Sequence, residues 1–228
     1  MPAGWLTNGR RDAGDIPGAG VNSVANSPRP GHMDVMSDIH AVAVFCGSRE
    51  GNDPAYRAAA QGLGRGLAEA GIRLVYGGGR IGLMGVLADA AIDAGGDVTG
   101  VIPDFLMRRE VAHEKVSDLI VTASMHARKQ RMFELADAFV ALPGGIGTCD
   151  ETIEIITWAQ LGLHAKPILI CDVAGSAAAF LATIEATIAA GFTGPEIRRI
   201  YDVTDGVPAV LRRLMELHRG AQGEPDRL

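Results

Sequence analysis

At 228 residues, 47% hydrophobic and 21% charged, the chain is long enough for one α/β domain with a sizeable core and some sequence to spare. A formal net charge of -6 gives no electrostatic reason to expect binding to nucleic acid or to an acidic membrane surface. No apolar run reaches the roughly 18–20 residues needed to span a bilayer.

Residues 1–37 are rich in Gly, Pro, Asn, Ser and Asp and lack periodicity, which reads as a disordered tail. They hold no continuous apolar segment of the secretory type, and Met33 and Met36 are alternative starts just before the first strand. The expected organisation is a tail over 1–37, a single domain over 38–220 and a polar tail over 221–228. The three cysteines, Cys46, Cys149 and Cys171, show no metal-ligand spacing, and they read as buried or incidental thiols in a reducing compartment, hence the cytoplasm. Cys149 lies beside a glycine loop, where a reactive thiol is the alternative. The six histidines form no paired spacing, so no metal site is expected.

The first strand is read at His40 to Cys46, followed by Gly47-Ser48-Arg49, a turn with a hydroxyl and a cation where open α/β sheets bind ligands. Asn52 or Asp53 caps a helix with Pro54 at its first position, and Gly71 closes it. The second strand, Ile72 to Tyr76, runs into Gly77-Gly78-Gly79-Arg80-Ile81-Gly82 and a helix to about Ala94. Gly77, Gly79 and Gly82 satisfy GxGxxG, but after the second strand and without the acid expected about 20 residues on. A backbone cradle for phosphate or ribose, with Gly78 in contact, fits better than a dinucleotide site; the plain alternative is a tight turn.

Val98 to Ile102 is the third strand, and the polar stretch Asp104 to Asp118 reads as a solvated loop carrying Arg108, Arg109, Glu110 and His113. After a short strand at Leu119 to Thr122, Met125, Met132 and Leu135 mark the core face of a helix. Arg128 falls on that apolar side and needs a partner there, an anionic ligand being one candidate. Next comes the most informative stretch, AFVALPGGIGTCDETIEIITW, Ala138 to Trp158: a strand, a glycine turn and an amphipathic helix. Glycines there permit close approach to a ligand, and the helix start presents free N–H groups and a positive dipole end, which suits phosphate. Asp150 and Glu151 suit chemistry beside that phosphate. The structural alternative is a capping box, Thr148-x-x-Glu151, in which Thr148 caps the helix and Glu151 reaches back. A strand at Pro167 to Cys171, a helix at Ala174 to Ala190, an edge strand at Ile200 to Val203 and a helix at Val207 to Arg219 complete the alternation. It implies a doubly wound, mostly parallel sheet with helices on both faces.

The motif PGGIGTCDE, Pro143 to Glu151, together with Met125-His126-Ala127-Arg128-Lys129, resembles the LONELY GUY family. These are cytokinin-activating phosphoribohydrolases, often mislabelled lysine decarboxylases. The similarity runs from about Ala41 to Val203 and includes GSR, YGGG, GLMG, GVIP and TWAQLG. Asp150 is often Glu in the family and Ile146 often aromatic, and the N-terminal tail has no counterpart there. The resemblance implies a Rossmann-like homodimer that cleaves the N-glycosidic bond of an N6-modified adenosine 5'-monophosphate without a cofactor. It implies Arg128 and Glu151 as the catalytic pair. For nucleotide binding it implies Glu110, Lys129, Thr157 and the loop Gly145, Ile146, Gly147, Thr148, Cys149 and Asp150. The chemistry agrees: breaking a glycosidic bond builds positive charge on ribose, which a carboxylate stabilises while orienting or deprotonating water. The rival readings are a non-catalytic nucleotide or molybdenum-cofactor carrier, an NAD enzyme with a misplaced fingerprint, and a pyridoxal-phosphate decarboxylase. The last would need its Schiff-base lysine from Lys115, Lys129 or Lys166.

Overall fold

Among the described residues, seven parallel strands form one sheet in the order β4-β3-β2-β1-β5-β6-β7. They are β1 Ala41–Phe45, β2 Arg73–Tyr76, β3 Val98–Pro103, β4 Asp118–Thr122, β5 Ala138–Ala141, β6 Ile168–Asp172 and β7 Asp202–Asp205. The helices between them are α1 Pro54–Glu69, α2 Gly82–Asp93, α3 Met125–Leu135, α4 Ile146–Gln160, α5 Ala178–Ala189 and α6 Gly206–Ala221. This computed structural model describes residues 39–107, 113 and 115–221, with side chains through 218. The expected tail over 1–37 and most of the one over 221–228 lie outside the described residues, as do Arg108, Arg109 and Glu110.

The central strands read as unbroken apolar runs because both of their faces are covered. In β1, Val42 and Val44 point into one core with Leu63, Leu67, Leu87 and Leu214, beneath α1, α2 and α6. Ala41, Ala43 and Phe45 point into the other, with Met132, Phe139, Ile155, Ile156 and Ile184 from α3, β5, α4 and α5. The period of 2 along a strand thus builds two cores from one run.

Local chemistry sets most element ends where the sequence places them. Asp53 caps α1, its carboxylate accepting from Ala55 N at 2.8 Å, with Pro54 in the first turn; Gly71 leaves the helix at φ +69°. Ser124 caps α3 by accepting from Ala127 N. Three expectations are corrected. The helix expected from Ala174 starts at Ala178, because Ala174 and Gly175 both take positive φ (52° and 77°) and Asp172 Oδ1 instead accepts from Ala177 N. The last edge strand lies two residues later than expected, since Pro195–Arg199 forms a 3-10 turn ending at Ile200. The helix after β5 is capped by Gly145, not Thr148: Gly145 is extended at φ -96°, ψ -159°, so the helix begins at Ile146. Thr148 then sits inside the first turn and the Thr148–Glu151 capping box does not form.

The order of strands fixes where a ligand can sit. From β1 the chain winds outward through β2 and β3 to β4, returns to the centre as β5, and winds outward the other way. The crevice between the carboxyl ends of β1 and β5 is the switch point, where the following loops diverge onto opposite faces.

Candidate active site

Three loops meet at that crevice. Gly47, after β1, donates its N–H to Pro143 O (3.1 Å) after β5, and its carbonyl accepts from Leu83 N (3.0 Å) at the start of α2. Gly82 allows this union twice over. Its φ is +63°, and a Cβ there would overlap the backbone of Ser48 and Arg49. Together the loops frame a cleft of about 670 Å³, within the usual range for small-molecule sites.

Ser48, Gly145, Ile146, Gly147, Thr148 and Asp150 line this cleft, as do Arg128 and Glu151. The first turn of α4 opens into it, and no side chain caps that end. A Cβ added at Gly145 or Gly147 would meet nothing within 4 Å. Neither position needs glycine for its own packing, so the bare backbone leaves room for a guest at the helix start, where N–H groups and the dipole favour an anion.

Arg128 is 6% exposed, which agrees with its place on the apolar side of α3. Its Nε donates to Val101 O at 3.1 Å, and Nη2 lies 3.5 Å from Glu151 Oε1. The partner that the sequence requires is therefore a carboxylate and a β3 carbonyl, both supplied by the protein. A planar guanidinium can serve the two at once, which an ammonium cannot do in this geometry. Burial first, then the Glu151 carboxylate, push the Cys46 thiol far above its ordinary range, so the floor of the cleft is not a thiolate site.

Other expected residues fall elsewhere. Gly78 packs against β3, its carbonyl accepting from His113 N at 3.0 Å, and it is not part of the cleft lining. Cys149 faces a separate small crevice beside Cys171 and Ala177. Thr157 is exposed and donates to Ile153 O. It lies three helical turns beyond the start of α4, about 16 Å at 1.5 Å per residue. Lys129, itself outside the cleft lining, is held by the carboxylates of Asp150 and Glu154.

Four further residues line the cleft: Gly77, read as part of the glycine turn after β2, Met125, read as a core residue, and Met84 and Ser176, to which sequence reasoning gives no site role. Only Gly77 carries a signal, as the first glycine after β2. A Cβ there would overlap Arg128 Nη2 and come within 2.9 Å of Met84 Sδ. Gly77→Ala is expected to lower kcat/KM by roughly 10- to 100-fold by displacing the guanidinium while circular dichroism stays unchanged. An unaltered kcat/KM would show that the guanidinium position is not critical.

A doubly wound α/β sheet with an acid–guanidinium pair and a helix start that has no side-chain cap at its switch point defines a class of small-molecule site suited to phosphorylated ligands. Comparison with known proteins narrows this. The family model described as possible lysine decarboxylase matches residues 84–214. The rice (Oryza sativa subsp. japonica) protein named cytokinin riboside 5'-monophosphate phosphoribohydrolase LOG is 48% identical over 164 residues, covering 72% of this chain and 68% of that protein. Arabidopsis thaliana LOG7, with the same enzyme name, is 44% identical over 183 residues, covering 80% and 84%. Among solved structures, the molybdenum cofactor carrier protein of Chlamydomonas reinhardtii superposes with a TM-score of 0.59 at 22% identity, covering 79% of this chain and 98% of its own. That likeness shows the fold alone. The chain belongs to the LONELY GUY family.

The family model's description does not fit the residues. None of Lys115, Lys129 and Lys166 lines the cleft, and a pyridoxal-phosphate decarboxylase needs a Schiff-base lysine there. Lys166 lies instead over the Phe133 ring, with Nζ 4.1 Å from its centroid and donating to Phe133 O.

Proposed function

We propose that the protein hydrolyses the N-glycosidic bond of N6-modified adenosine 5'-monophosphates, with AMP as a further candidate substrate, releasing the free base and ribose 5-phosphate. This activates cytokinins. The observation that carries the reading is the Arg128–Glu151 pair set beside the start of α4, which has no side-chain cap, in one cleft. The relatives named as phosphoribohydrolases support it.

In this reading the 5'-phosphate sits on the backbone N–H groups at the start of α4, with Thr148 and Ser48 adding hydroxyls. Glu151 faces the ribose. As the bond from C1' to the base nitrogen breaks, its electron pair leaves with the base and C1' becomes electron-poor. Glu151 stabilises that charge and takes a proton from water, whose oxygen bonds to C1'; that proton, passed on through solvent, completes the departing base and returns Glu151 to its carboxylate form. Arg128 holds Glu151 in its ionised, oriented form. Free thiols at Cys46, Cys149 and Cys171 suit the cytoplasm. Exposed Ile153, Leu161 and Leu163, on α4 and the turn after it, support a homodimer that buries this side.

The test is incubation of purified protein with isopentenyladenosine 5'-monophosphate and with AMP, reading free base by chromatography. Base release from either establishes the reaction, and their ratio begins to define specificity. Nucleotide bound without release would support a carrier instead.

A further inference from the structure

Two cations of α3 meet three acids of α4. Arg128 faces Glu151, while Lys129 Nζ lies 2.7 Å from Asp150 Oδ2 and 3.3 Å from Glu154 Oε2. The Lys129 side chain is 17% exposed and lines a small crevice behind Glu151, with Phe133, Phe139 and Trp158 among its walls. Burial lowers the Lys129 ammonium, but the hydrogen bond it donates to Asp150 and the charge of Glu154 outweigh that and hold the group above its ordinary value. An ammonium with two carboxylate partners would have to give them up to reach a phosphate, so substrate binding is a poor account of this residue.

We propose that Lys129 is a positioning residue: by tying Asp150 and Glu154 to α3, it sets the angle of α4 that holds Glu151 beside Arg128 and aims it into the cleft. The inference rests on the base-releasing function above. Asp150 and Glu154 flank Glu151 on the same helix. Arg128 from α3 and the buried Cys46 thiol at the end of β1 also face Glu151. With Lys129 in place its single positive charge offsets part of the two flanking negative charges. Without it they repel the Glu151 carboxylate and favour its protonated form. Glu151 works ionised, so activity is present above the pH at which it protonates and is lost below. Removing Lys129 therefore moves the acid limb of kcat to higher pH.

Lys129→Met, Lys129→Arg and Glu154→Gln test this with isopentenyladenosine 5'-monophosphate as substrate. Lys129→Met is expected to lower kcat roughly 10- to 100-fold, with KM within about two-fold of wild type, and to shift the acid limb upward. Lys129→Arg should recover much of kcat. Glu154→Gln, which touches Lys129 but does not line the cleft, should lower kcat in the same direction by less. A raised KM with normal kcat and an unmoved acid limb would make Lys129 a substrate ligand and overturn the proposal; so would a Lys129→Met enzyme that matches wild type. If Lys129→Met does not fold, an unchanged kcat in Glu154→Gln overturns it instead. A wild-type protein that releases no base overturns the proposed function and this inference together, whereas wild-type turnover with a KM-only variant overturns the inference alone.

Discussion

Glu151→Gln is expected to lose turnover by about 10²–10⁴-fold, the range typical of a positioned general base, while keeping its fold and its nucleotide affinity. Gln preserves the size and one acceptor of Glu151, whose side chain is only 11% exposed, so the packing of α4 against the end of β1 is undisturbed. In the proposed mechanism it removes the charge that opposes positive charge at C1' and the base that receives the proton from water. KM for isopentenyladenosine 5'-monophosphate should change little, because the proposed phosphate contacts lie at the start of the helix, one turn away. Near wild-type kcat would return Glu151 to a structural role, although the capping box that would have supplied one is absent: the helix is capped by Gly145.

Arg128→Ala is expected to cost as much turnover and, unlike Glu151→Gln, to lower stability. Its guanidinium satisfies Val101 O and sits 3.5 Å from Glu151 in a nearly closed environment. Truncation leaves a β3 carbonyl without that donor and a carboxylate without its counter-charge. Removing one partner of a buried pair costs about 3–5 kcal/mol, and the looser 3.5 Å contact and partial exposure of Glu151 put this case at or below the lower end. Thermal melting and urea denaturation should show the drop, with the urea midpoint moving at constant slope. Arg128→Lys should rescue poorly, since one ammonium cannot reach both the Val101 carbonyl and the Glu151 carboxylate. A variant with raised KM and normal kcat would instead assign Arg128 to binding.

Both predictions concern residues that the amino-acid pattern itself singles out. Arg128 is legible because a cation three residues after Met125 and four before Met132 falls on the helix face that packs, and a cation there must be partnered. Glu151 is legible only as one of two alternatives. The choice between cap and site residue turns on whether the helix begins at Thr148 or a few residues earlier. The backbone angles of Gly145 decide that, and glycine leaves them open. Thr157 and Lys129 enter through resemblance alone. In the fold they stand outside the cleft, one too far along α4 and the other turned toward two acids. The stretch Ala174 to Ala177 reads as helix because its small residues have no strong preference; Ser176 and Asp172 instead accept from the N–H groups of Val173 and Ala177, and no period announces that.

The sequence by itself determined the alternation of strands and helices, the parallel sheet and the glycine loop followed by an acid-bearing helix. Each depends on local patterns: apolar runs buried on both sides, Asp53 with Pro54, Gly71, and glycines beside a strand end. Only the tertiary structure decided which of those parts meet. The need for glycine at Gly77 comes from Arg128, the partner of Arg128 comes from α4, and the partners of Lys129 come from the same helix. Those contacts join residues far apart in the chain across a shared sheet, so no local period or spacing encodes them. They exist only once β1 and β5 lie side by side and bring their loops to one crevice.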